Sequence, residues 1–159
     1  MRRKKMTKTQ LLYNVAQIVI PWSTLLLMGK QDIKRYSFSG FVIVAFEIIN
    51  HIIGYKRNWW TFYGKKKSFF TNELPFSLGA YMPLSMWLLK FYFGDFKKFM
   101  LMNAVSDGIF AFGVIKFLKR IKVIKLNMSY PTFFVYLYFK APILYGVQYL
   151  VEKRKLFIG

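Results

Sequence analysis

The stretch from Phe38 to Tyr55, FSGFVIVAFEIINHIIGY, decides the fold. It holds one acid and one imidazole in an otherwise uncharged, mostly apolar run, and Lys34-Arg35 and Lys56-Arg57 bracket it. A helix rising about 1.5 Å per residue can cross about 30 Å of hydrocarbon with a run of this kind. Basic clusters at both ends suit the head-group layers that such a run must leave the membrane through.

Outward from this run the pattern repeats. Membrane-crossing helices are predicted over 11–29, 38–55, 74–93, 99–118 and 130–151. The expectation is therefore all-α, a polytopic bundle of about five transmembrane helices forming one membrane domain over residues 1–159. Composition agrees, since 55% hydrophobic and 21% aromatic residues coexist with a formal net charge of +19. Cations that flank apolar runs find their counter-ions in anionic lipid head groups, which argues for membrane lipids as partners and against nucleic acid. With no cysteine, disulfides, thiolate nucleophiles and cysteine metal sites are excluded.

The opening Met-Arg-Arg-Lys-Lys resembles the start of a signal peptide, but no small-x-small cleavage site follows, so the first helix reads as retained. Fifteen Lys and Arg fall in the N-terminus and in the 56–73 and 116–129 loops, against eight on the other side. Positive loops stay inside, so a cytoplasmic N-terminus in the cell membrane is expected. Asn72 and Glu73 before Leu74-Pro75, and Pro131, mark helix starts. Pro21, Pro83 and Pro142 fall within spans, where each withholds one backbone donor and should bend its helix. The segment from Lys116 to Lys125 reads as a continuation of the fourth helix along the inner surface.

Ionisable residues inside spans carry the functional argument, because each costs about 2.5–3.5 kcal/mol to insert. Glu47, Asp107 and Lys140 lie near the middle of their spans and so at similar depth. Asp107 with Lys140 is the expected pair, since helices adjacent in the chain tend to pack together, with Glu47 as competitor. His51 shares a face with Glu47, Asn103 with Asp107, and Tyr136 with Lys140, each at a four-residue spacing. These six residues outline a polar seam. It reads either as a closed hydrogen-bonded network or as a relay for protons, ions or a small solute. In the loop, Lys56, Arg57, Trp59, Trp60, Lys65, Lys66 and Lys67 mix rings with cations and are candidate lipid head-group contacts.

Enzyme signatures are missing. One histidine cannot make a His-Glu-x-x-His zinc motif, and no glycine-rich phosphate loop is present. Asp107-Gly108-Ile109-Phe110-Ala111 resembles the opening of the CDP-alcohol phosphotransferase motif. Phe112 stands where that family requires arginine, and no acid follows until Glu152.

The stretches KRNWWTFYGKKKSFFTNELPF, from Lys56 to Phe76, and LKFYFGDFKKFMLMNAVSDGIFAFGVIKFLK, from Leu89 to Lys119, resemble uncharacterised small multi-pass membrane proteins of Bacillus-like Gram-positive bacteria. The resemblance implies a bacterial membrane location and carries over no functional residue. The expectation is a non-enzymatic accessory or scaffold subunit without cofactor, docking against a second copy or a membrane protein partner. The alternative is a small transporter or ion-translocating protein that works through the polar seam.

Overall fold

The structure, a computed structural model, describes residues 8–63 and 73–158. It is mostly helical. Helix α1 spans Lys8–Leu25 and α2 Lys30–Arg57, while α3 runs through Leu74–Phe76, Ser77–Tyr81 and Met82–Tyr92. Helix α4 covers Phe96–Arg120, and α5 is built from Tyr130–Tyr138 and Lys140–Ile158. Two short strands, β1 (Trp60–Phe62) and β2 (Ile124–Leu126), pair antiparallel with Trp60 opposite Leu126.

All five expected helices exist among the described residues, but two, Lys30–Arg57 and Phe96–Arg120, are long and apolar enough to cross a membrane, not about five. Polar residues and breaks explain the difference. Helix α1 carries Gln10, Asn14 and Gln17, α3 carries two prolines and Lys90, and α5 is interrupted at Phe139 beside Lys140. The first helix also stops at Leu25, short of the expected residue 29. Tight turns close Leu26 to Met28, and Gly29 takes a positive φ of 91° that glycine adopts without strain.

The inner-surface continuation after Lys116 is likewise corrected. Helix α4 ends at Arg120, Lys122 adopts a left-handed turn, and Ile124 enters β2 because a partner strand offers its backbone hydrogen bonds.

The prolines act as sequence chemistry predicts, by withholding donors. Pro142 leaves the Tyr138 carbonyl without its helical partner, and the helix breaks at Phe139. Pro83 withholds the amide that the Gly79 carbonyl would use in an α-helix, next to a π-helical turn over Ser77–Tyr81. A second π-helical turn, Ile109–Val114, lies in α4. Pro21 withholds the donor from the Gln17 carbonyl, and α3 packs there so closely that a Cβ on Gly79 would sit 2.7 Å from that oxygen. Trp22 Nε1 donating to the Leu78 carbonyl (2.8 Å) and Trp87 Nε1 donating to Thr24 (2.9 Å) complete the α1–α3 seam.

Pro131 lies in the first turn of α5, as expected, and Ser129 caps that turn by accepting from the Thr132 amide. Asn72 lies outside the described residues. Glu73 does not cap α3 with its side chain, which is engaged instead by Trp60.

Helix α2 is the axis of the bundle, packed between α3 and α5. Gly40 lets α3 approach, since a Cβ there would lie 3.2 Å from Met86 Cγ. Against α5, α2 runs antiparallel with a rung every fourth residue. Arg35 pairs with Glu152 (2.8 Å), Ser39 donates to Gln148 (2.7 Å), Ile43 and Leu144 share the apolar rung, and Glu47 meets Lys140. A four-residue repeat on both partners is the ridge spacing that helices use to interlock.

Two apolar clusters flank this axis. One, at the end away from the ribbon, gathers Met28, Ile43, Val44, Met86, Leu89, Phe99 and Leu144. The other, under the ribbon, gathers Trp60, Ala111, Ile115, Leu118, Val123, Phe133 and Leu137.

Candidate functional site

Between the two clusters lies a buried polar layer. Along α2, Glu47 and His51 separate Val44 of the first cluster from Gly54, which abuts Trp60 of the second. Along α5, Lys140 stands between Leu137 and Ala141, one from each cluster. Glu47 and Lys140 are both fully shielded (0% exposed) and form an ion pair through one carboxylate oxygen. The other oxygen lies 3.1 Å from His51 Nε2, one turn along the same helix. His51 Nδ1 in turn meets Ser77 Oγ at 2.7 Å.

Rings enclose the ammonium. The Tyr136 ring centre is 4.2 Å and the Tyr81 ring centre 5.2 Å from Lys140 Nζ, so an anion and two π faces replace water. Trp60 stands edge-on to His51 at 5.3 Å and donates its Nε1–H to Glu73 at 3.0 Å. The Tyr136 hydroxyl is buried without a hydrogen-bond partner among the described residues.

The structure thus unites four of the six seam residues, Glu47, His51, Tyr136 and Lys140, and leaves two apart. The expected pair is corrected: Lys140 binds Glu47, not Asp107, because α5 lies against α2 along the four-residue ladder. Asp107 is half-buried and forms no ion pair among the described residues. Asn103 is buried and donates to the Phe99 carbonyl of its own helix (2.8 Å).

Of the candidate head-group contacts, Lys56 and Arg57 are exposed and Trp59 is half-buried, while Lys65, Lys66 and Lys67 lie outside the described residues. Trp60 is corrected from interfacial anchor to core residue (7% exposed), since strand pairing turns its ring inward against His51, Phe133 and Tyr136. Ser77, Tyr81 and Gln148 escaped the sequence reading. A four-residue comb matched between α2 and α5 would have found Gln148, whereas a serine early in a helix carries no signal.

Ser77, His51 and Glu47 have the connectivity of nucleophile, base and orienting acid. Ser77 is completely shielded, however, and Glu47 already pairs with Lys140. The arrangement forms a lock: the Glu47 carboxylate of α2 holds Lys140 of α5 and lies against His51, and His51 in turn meets Ser77 of α3. Next to it is a cavity of about 50 Å³ under the ribbon, lined mainly by apolar and aromatic side chains and touched by His51, Gln17 and Glu73.

No known protein family, curated protein or solved structure matches the chain.

Proposed function

We propose that the chain is a multi-pass membrane protein whose five helices all cross the bilayer, with a cytoplasmic N-terminus, and that it serves as a non-enzymatic accessory or scaffold subunit. The observation that carries the reading is the sealed Glu47–Lys140 pair. A relay has to exchange its charges with water, whereas this pair is shielded completely and fixes the packing of α2, α3 and α5. Burying such a pair repays its desolvation only when the geometry is held, which suits a rigid frame.

The outer surface supports the membrane part of the reading. Each helix turns large apolar side chains outward, among them Ile20 on α1, Phe41 on α2, Phe91 on α3, Leu101 on α4 and Leu150 on α5. Apolar outside and charged inside suits a hydrocarbon surround. Anionic head groups would meet the basic 56–67 stretch, and a second copy or a larger membrane complex would dock on the apolar ridges.

The transporter reading rests on a different observation, that His51 touches both Glu47 and the cavity. Flux separates the two. Vesicles of the purified chain are expected to show no proton or ion flux driven by a pH gradient; a flux abolished by Glu47→Gln without unfolding would overturn the scaffold reading. Two-sided labelling tests the crossing pattern, with Lys125→Cys expected to react from the cytoplasm alone and Lys98→Cys from the opposite side alone.

A further inference from the structure

The chain carries 25 lysines and arginines against six acids, so no acid need lack a cation for want of supply. Five of the six are engaged: Asp32 with Lys90, Glu47 with Lys140, Asp95 with Lys98 and Glu152 with Arg35, while Glu73 accepts from Trp60. Asp107 alone forms neither an ion pair nor a hydrogen bond among the described residues. Lys140, its expected partner, is held by Glu47 and enclosed by the Tyr81 and Tyr136 rings.

The depth of Asp107 makes that omission costly. It lies near the middle of Phe96–Arg120, one of the two helices long and apolar enough to cross a membrane, about 16–20 Å from either end. A charge without a partner at such a depth is expensive and marks a functional position. Asn103, one turn before it, and Ala111, one turn after it, are buried, so this stripe of α4 faces inward, yet Asp107 itself is half-buried. The adjoining stripe accounts for the opening. Ala104 and Gly108 bring no bulk there, and the nearest described group of another helix to a Cβ on Gly108 is the Phe134 ring of α5, at 3.8 Å. Phe134 stacks on Tyr138 with ring centres 5.6 Å apart and forms the far wall.

We infer that this groove between α4 and α5 receives the basic side chain of a partner's membrane-spanning helix, a lysine or arginine at mid-bilayer depth. Its charge meets Asp107, its stem lies across Ala104 and Gly108, and the Phe134 ring offers a face to the cation. Depth selects the source, because lipid head groups stay at the surface of a hydrocarbon layer about 30 Å thick. A second copy of the chain does not supply the cation: its Lys140 is fully shielded, and its other described lysines and arginines lie toward helix ends or in loops. The inference rests on the scaffold reading and gives the chemistry of the subunit's partner.

The test places the full chain in phosphatidylcholine vesicles with a fluorophore on Lys97→Cys, at the start of α4. The probe is a synthetic membrane-spanning peptide of leucine and alanine with one central lysine, followed by energy transfer. Saturable association is expected, weakened about tenfold by Asp107→Asn and severalfold by Gly108→Val, which narrows the groove. Glu152→Gln, an acid at the end of the bundle away from the ribbon, should leave it unchanged. Peptides with a central leucine, or with the lysine moved two turns from the centre, should associate more weakly. Absence of saturable transfer, equal transfer with the leucine peptide, or indifference to Asp107→Asn would overturn the inference. Should Asp107→Asn fail to fold, Gly108→Val and the leucine peptide decide. Sodium and potassium uptake by vesicles without peptide separates the inference from the reading beneath it. Uptake abolished by Asp107→Asn would assign the carboxylate to a travelling ion and overturn both, whereas failed association without uptake would overturn the partner alone.

Discussion

Val44 and Val123 are both shielded from solvent, yet they sit in opposite kinds of surroundings. Around Val44, at the end away from the ribbon, long flexible side chains such as Met28, Met86 and Leu89 close on one another and on Ile43 and Leu144. Around Val123, under the ribbon, Trp60, Phe133 and Tyr136 meet at ring-centre distances of 5.9–6.5 Å, and a cavity remains beside them. Methionine and leucine adapt to irregular gaps, whereas stiff rings meet at fixed angles and leave space. One end is therefore closed by adaptable side chains and the other keeps a space among rigid rings, with the Glu47–Lys140 lock between them.

The largest effect should come from breaking that boundary. Lys140→Met strands a carboxylate in a dry layer and is expected to cost about 3–5 kcal/mol of unfolding free energy in detergent. Adding Glu47→Gln should recover much of the loss, while adding Asp107→Asn should merely add its own small effect. A double-mutant cycle showing coupling to Asp107 and none to Glu47 would refute the ladder between α2 and α5.

A glycine pair tests how tightly the ribbon end holds its rings. A Cβ at Gly54 would run into the Trp60 ring, which His51 and Phe133 pin in place, so Gly54→Ala should cost about 1–3 kcal/mol and shift tryptophan emission. Among the described residues nothing lies within 4 Å of such an atom at Gly146, and Gly146→Ala should stabilise α5 by about 0.5–1 kcal/mol.

The two valines make the comparison direct. Val44→Ile overfills a closed core and should cost about 1 kcal/mol or more, whereas Val123→Ile extends into the cavity and should fall within about 0.5 kcal/mol of the parent. Equal losses in thermal denaturation would mean that the ends are packed alike.

The smallest effect concerns pH at the cohesive end. Asp95 caps α4 by accepting from the Lys98 amide, which holds its carboxyl below the usual range. A depressed value contributes stability above the unfolded pKa of about 4 and loses it as the pH falls through the folded one. Asp95→Asn, which keeps an acceptor, should remove this dependence from amide exchange in the first turn of α4.

Helix positions were legible because apolar runs between cation clusters state them outright, as with 74–93 against the observed 74–92. Partner choice was not. Chain adjacency favoured Asp107 for Lys140, but which faces meet depends on where α5 lies across the bundle, and sequence spacing within one helix says nothing of that. Trp60 misleads for a related reason: a ring among cations suits an interface until a second strand, whose Leu126 lies 66 residues on, pairs with it and turns it inward. The polar character of Glu47 and His51 was plain, while the contribution of Ser77 depends on a backbone turn that leaves no compositional trace.

The π-helical turns at Ser77–Tyr81 and Ile109–Val114 each accommodate one residue more than an α-helix uses for the same advance. Helices α3 and α4 are in effect spliced from two registers. Loss of a single residue inside either turn is absorbed by a return to α geometry, with both flanks keeping the faces they present. The same loss in the middle of α2 would rotate half the helix by about 100° and unseat every later rung of its ladder with α5. The described residues therefore contain two places where the length can change by one while the direction the side chains face stays the same.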